Sequence, residues 1–195
     1  IVNGITLGSI YALLALGYSM VYGVLRMLNF AHGDVFMVGA FTGWGVLMFF
    51  AEDGQVAAPI LVLAAMVLAA VGATSILGAA IERFAYRPLR GGSRLVTLIS
   101  ALGVSIILQN AAMILTAGRA KAIPAELLIP QDLVVRAAGA TISATRLAMV
   151  VVSAVTMVLL DVVVFKTKFG RAMRATSQDS EAAEYMGVNT AQVIA

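Results

Sequence analysis

Five apolar runs constrain this chain more than any other feature. They cover roughly residues 3–25, 35–51, 57–81, 95–117 and 146–165. A helix that crosses a bilayer needs about 20 mostly apolar residues, and four of the runs reach that length while the second is short. They are too long for strands, and their wealth of Leu, Ala and Met favours helix. Charged residues make up only 12% of the chain, about half the share in a soluble domain. The expectation is an all-α, polytopic integral membrane protein, with about five transmembrane helices in a single domain over 1–195. No soluble domain of any size fits between the runs.

With this composition, a net charge of +3 is no sign of nucleic-acid binding; the placement of the basic residues is what carries information. Lys and Arg collect in the cytoplasmic loops of membrane proteins. Arg26 lies in the 26–34 loop. Arg83, Arg87, Arg90 and Arg94 lie in "ERFAYRPLRGGSR", and Lys166, Lys168, Arg171 and Arg174 follow the fifth run. These nine share one side. The other side holds an acidic 52–56 loop and the 118–146 loop, with Arg119, Lys121, Arg136 and Arg146. The bias places the N-terminus outside and the tail in the cytoplasm. The chain has no cysteine, which excludes thiol chemistry. Its first apolar run is too long for a signal peptide and lacks a basic leader. It starts at Ile1 without Met and stops at Ala195 within an amphipathic pattern, as a fragment trimmed at both ends would. Pro59 and Pro88 are read as helix caps or stops. Pro124 and Pro130 fall in the long outer loop, which has room for a short interfacial segment.

Within the runs, small residues recur every four positions. Gly4, Gly8 and Ala12 share one face of the first, and Ala65, Ala69 and Ala73 share one face of the third. Such stripes let helices approach closely in lipid. Tyr11, Ala15, Tyr18 and Tyr22 form a second stripe, read either as helix–helix packing or as part of a pathway. In the fourth run Ser105 and Gln109 share a face at mid-span, with Asn110 beside them. An unpaired amide in hydrocarbon is costly, so these groups face protein or water. An interhelical hydrogen bond and a substrate pathway both satisfy that requirement. Asp161, near the end of the fifth run, has the simpler reading of a carboxylate that reaches the interface.

Two short segments stand apart from the spans. "RMLNFAHGDV", residues 26–35, places Asn29, His32 and Asp34 around Gly33. Asn and Asp side chains satisfy turn amides, and glycine permits backbone angles that other residues resist. Met27, Leu28, Phe30 and Ala31 are too apolar for an exposed loop. A reversal partly buried in protein fits, and broken backbone at membrane depth is tolerated only where protein buries it or a cavity borders it. His32 and Asp34 alone are too few for a metal site, and no nucleophile–base pair is present. In the tail, Thr176 to Asp179 fits a capping box. Asp179 and Glu181 then occupy a first helical turn, and Gly187 suits the position that ends the helix. A short helix is predicted over 177–186, with Ala182, Ala183 and Met186 as its apolar face.

The stretch "GITLGSIYALLALGYSMVYGVLRMLNFAHGDVFMVGAF" resembles the start of the first permease subunit of bacterial branched-chain amino acid ABC importers. "IERFAYRPLR", "LISALGVSIILQN" and "FGRAMRATSQDSEAAEYMGVNTAQVIA" resemble the same family in the same order. The resemblance covers nearly the whole chain; "NFAHGD" and "YRPLR" are its most specific parts. It implies that Asn29, His32 and Asp34 sit at a reversal near the translocation route, with Ser105, Gln109 and Asn110 as further pathway candidates. The family often has Glu where this chain has Asp34, so the carboxylate is kept. "EAAEYMG" is similar to the E-A-A-x-x-x-G pattern of importer permeases. By that likeness Asp179, Glu181, Ala182, Ala183 and Gly187 belong to a cytoplasmic coupling helix that docks on an ATPase.

The partners implied are a second related permease, two ABC ATPases, an external substrate-binding protein and membrane lipid, with no nucleic acid. The implied location is the bacterial inner membrane. The chain carries no P-loop, so ATP and Mg belong to the partners and the chain itself needs no cofactor. The implied cargo is leucine, isoleucine or valine, with urea or short amides as the alternative within the family. The rival from another class is an ion-coupled transporter or channel, which needs membrane carboxylates; Asp161 is the one this reading finds within the spans. An integral-membrane enzyme is disfavoured by the lack of an acid–base or metal cluster.

Overall fold

The computed structural model describes residues 2–25, 29–51, 55–89, 94–128, 134–137 and 140–194. Arg26, Met27, Leu28, Arg90 and Pro130, used above for topology and loops, lie outside them. Among the described residues five helices are long and apolar enough to cross a membrane: α1 (Val2–Leu25), α2 (His32–Phe50), α3 (Pro59–Ile81), α4 (Arg94–Thr116) and α5 (Ala144–Lys166). Three short helices follow, α6 (Lys168–Gln178), α7 (Ser180–Tyr185) and α8 (Thr190–Ile194). The all-α expectation holds with one small exception. In the long loop, β1 (Val134–Ala137) pairs antiparallel with β2 (Ala140–Ser143), Val134 opposite Ser143. The protein is a multi-pass membrane protein.

Large apolar side chains cover the outside of the spans: Ile60, Leu115 and Phe49 are all at least 80% exposed. In water this surface would be untenable. In lipid it costs nothing, and helices associate through close packing and interhelical hydrogen bonds instead.

The chain forms two compact units, residues 29–130 and residues 1–28 with 131–195. In the first, α2 and α3 form a hairpin. The N–H of Ala51 closes α2 on the carbonyl of Leu47, and Pro59, which needs no N–H partner at a helix start, opens α3. Leu47, fully buried, meets Val62 and Met66 near the closed end of the hairpin. A second cluster of Ile81, Tyr86 and Ala101, joined by Val35 and Val104, ties the other end to α4.

The sequence reading ends the third helix at residue 81, and here the structure differs. The backbone stays helical to Leu89, first as a widened turn over Glu82–Tyr86 and then as a tight turn over Arg87–Leu89. Burial of Tyr86 keeps the segment in place. Pro88 does not stop the helix outright; it accompanies the change of pitch, because it supplies no N–H to continue the ladder.

In the second unit, α1 lies against α5 and α6, and the Arg146 guanidinium donates to Asn3 Oδ1 at 2.6 Å. Only Thr167 separates α5 from α6. Its hydroxyl donates to the Val163 carbonyl at 2.5 Å and accepts from the Gly170 N–H at 3.0 Å. A Cβ on Gly170 would collide with the carbonyls of Val163 and Val164. Glycine is what allows so sharp a corner.

Candidate functional site: a polar seam at the start of α2

The reversal before α2 builds itself from its own residues. Asn29 Oδ1 accepts the Ala31 N–H at 3.1 Å, and the Asn29 carbonyl accepts the His32 N–H at 3.2 Å. The Ala31 carbonyl takes the N–H groups of Asp34 and Val35, so α2 begins at His32 and Asp34 stands in its first turn. A carboxylate there is favoured by the positive end of the helix dipole. Ala31 is fully buried at this turn, whereas its neighbour Phe30 is exposed.

Asp34 is buried as well, and its Oδ2 accepts a hydrogen bond from the Ser105 hydroxyl of α4. Gln109 Nε2 donates to Ser105 Oγ at 3.0 Å. Amide, hydroxyl and carboxylate thus form one directed chain between two spans. Ser105 lies about 16 Å along α4 from its start, at 1.5 Å per residue. The first turn of α2 therefore meets α4 near the middle of that helix. Asp34 thereby adds a second carboxylate on an apolar helix to Asp161, the one the sequence reading finds within the spans.

Of the other candidates, His32 occupies the first residue of α2, half-buried. Asn110 does not join the seam: its Nδ2 donates to the Ile106 carbonyl of its own helix at 2.7 Å. Gln109 and Asn110 are both exposed at mid-span. Both amides donate within their own helix, and Ile106, Met113 and Ile114 are exposed around them. Among the described residues no group of three or more His, Cys, Asp or Glu gathers to hold a metal.

The tail helix starts later than 177. Thr176 and Asp179 do not form a capping box, because Thr176 lies in α6 with its hydroxyl on the Ala172 carbonyl at 3.0 Å. Asp179 caps α7 itself, Oδ1 accepting the N–H groups of Glu181 and Ala182 at 2.9 and 3.0 Å. At the other end Gly187 has φ of +84°. Its N–H reaches the Glu184 carbonyl and the Val188 N–H reaches that of Ala183, the paired bonds of a Schellman ending. Ala183 is buried, whereas Ala182, Tyr185 and Met186 are exposed. The apolar face expected on Ala182, Ala183 and Met186 is therefore divided: Ala183 packs inward, and the other two face out with Tyr185.

The profile of the family described as "Branched-chain amino acid transport system / permease component" matches residues 1–195. The chain belongs to this permease family. It is 42% identical over 198 residues to the high-affinity branched-chain amino acid transport system permease protein BraD of Pseudomonas aeruginosa, covering all of this chain and 64% of BraD. It is 41% identical over 195 residues to the corresponding permease protein LivH of Escherichia coli, covering 99% of this chain and 63% of LivH. LivH of Salmonella typhimurium is 40% identical over the same length. The chain thus spans somewhat less than two thirds of these curated relatives. No solved structure matches it.

Two residues of this permease that sequence reasoning missed complete the seam. Tyr86, on the widened turn after α3, donates from its hydroxyl to Asn29 Oδ1 at 2.7 Å. Ser100 of α4 donates to the Ala85 carbonyl at 3.1 Å. The available signal is "YRPLR", which the sequence reading treats as a basic loop with a helix stop at Pro88. A tyrosine amid apolar residues beside a helix stop is a buried hydroxyl in need of an acceptor.

Proposed function

We propose that the chain is the translocating permease subunit of a binding-protein-dependent ABC importer for branched-chain amino acids. The observation that carries this reading is the family match along the whole chain. The doubly capped α7, with Tyr185 and Met186 standing out of it, supports a docking role for the tail. In this reading the N-terminus is outside and α6 to α8 are cytoplasmic. A second, related permease pairs with the chain. Two ATPases dock beneath the permease pair, one of them at α7, and hold the ATP and Mg, so this subunit performs no catalysis. An external binding protein delivers leucine, isoleucine or valine.

The exposed amides Gln109 and Asn110 border the pathway, with Asp34 and Ser105 behind them. A pathway for a zwitterion needs polar groups at mid-span without a free charge facing it, and a carboxylate covered by a hydroxyl meets that need. The test is uptake of labelled leucine against labelled urea by the reconstituted assembly. Leucine uptake that requires both ATP and the binding protein is the expected result. Uptake of urea alone moves the cargo within the family. One observation favours a second reading: a buried carboxylate on a span, Asp34, is the group an ion-coupled carrier uses. Uptake driven by a proton or sodium gradient without ATP would establish that reading and overturn the importer.

A further inference from the structure

The two most specific stretches of the sequence, "NFAHGD" and "YRPLR", are far apart in the chain but form one structure. We infer that Tyr86 is a positioning residue that holds the α2 reversal in place. Asn29 Oδ1 receives two hydrogen bonds, one from the Ala31 N–H inside the reversal and one from the Tyr86 hydroxyl outside it. The first shapes the turn, and the second fixes it to the end of α3.

The widened turn over Glu82–Tyr86 has a reason in this scheme. Each extra residue in a helical turn rotates the side chains that follow, and isolated wide turns of this kind are frequent at functional positions. Here the turn brings Tyr86 into the cluster with Ile81 and Ala101. The same turn leaves the Ala85 carbonyl to accept the Ser100 hydroxyl of α4. Pro88, lacking an N–H, cannot restore the regular ladder. The wide turn is therefore fastened to α4 through Ser100 and to the reversal through Tyr86. The reversal is in turn fastened to α4 through Asp34 and Ser105. Three elements close a ring of side-chain hydrogen bonds around the first turn of α2. A movement of α3 or α4 thus reaches the reversal through bonded groups, without relying on apolar contact alone.

The role in transport rests on the proposed function, but the positioning itself does not, and it is tested without any solute. The chain has no cysteine, and Ala31 is fully buried, so Ala31→Cys reacts with a thiol reagent only when the reversal opens. Ser153→Cys, buried in the other unit, serves as the control. In the permease in its native membrane, Tyr86→Phe should raise the labelling rate at position 31 by about 3- to 10-fold, the range spanned by one hydrogen bond. The rate at position 153 should not change. An unchanged rate at position 31, or an equal rise at both positions, overturns the inference. Should Tyr86→Phe fail to accumulate, Asn29 provides the second arm. Asn29→Asp keeps an acceptor for the hydroxyl and should label slowly at position 31, whereas Asn29→Leu should label fast. Equal rates in that pair overturn the inference. If the parent protein transports no solute at all, the importer reading fails while these labelling results still decide the role of Tyr86.

Discussion

Ser105 is the residue on which the seam turns, because its one hydroxyl both donates to Asp34 and accepts from Gln109. Ser105→Ala leaves a buried carboxylate short of a donor. The expected cost is about 1–2 kcal/mol, above the average for hydrogen bonds between membrane helices because the acceptor is a carboxylate. It is measured as a lower thermal midpoint of the solubilised complex. Gln109→Leu separates structure from transport. Gln109 bonds within its own helix and is exposed, so the change should leave complex yield intact and lower uptake several-fold. A loss of folded complex with normal uptake per complex would show Gln109 to be helix packing and remove it from the pathway. At this scale the sequence was informative about residue type and spacing. Ser105 and Gln109 at i, i+4 were legible as partners. That Asp34 is their third member was not, because a contact between positions 34 and 105 leaves no trace in local spacing.

Among the elements, α7 is the one whose ends the sequence nearly located. Gly187 was legible as the helix end, and its positive φ follows from the terminal geometry that glycine alone adopts freely. The start was misplaced by three residues. Thr and Asp three apart satisfy the capping-box pattern, but the box requires a break before Thr176, and α6 runs through it. What continues α6 is its packing on α1 and α8, a tertiary matter. Gly187→Val forces a β-branched residue into the left-handed region at a cost of about 1–2 kcal/mol, and the spans should stay folded. Uptake should fall sharply, with ATP hydrolysis no longer responding to loaded binding protein. Ala183→Trp should give the same loss for a different reason, since Ala183 is buried within this chain and indole would push α7 off α6. A protease-sensitivity assay tells them apart, with the tail of Ala183→Trp cut faster and that of Gly187→Val little changed. If both variants transport at the normal rate, α7 is not the coupling element.

For the whole molecule, topology is the prediction that follows most directly from the chain. A single cysteine placed at Gly91 should be reached by an impermeant reagent only from the cytoplasm, and one at Gln55, which is exposed, only from outside. Labelling of both from one side would refute the five-span arrangement. The sequence by itself determined that arrangement. Hydrophobic length is a property of consecutive residues, and lipid admits only backbone whose hydrogen bonds close within the helix, so five runs become five helices with little choice left. It likewise determined the family, through stretches whose order and spacing run the length of the chain. Only the tertiary structure decided that α2 already begins at His32 with Asp34 in its first turn, that α3 continues through a wide turn to Leu89, and that Tyr86 and Asp34 belong to one bonded ring. Each of these depends on which buried polar group finds which partner across tens of residues. In a medium that leaves no such group unsatisfied, that pairing fixes where helices begin, widen and end.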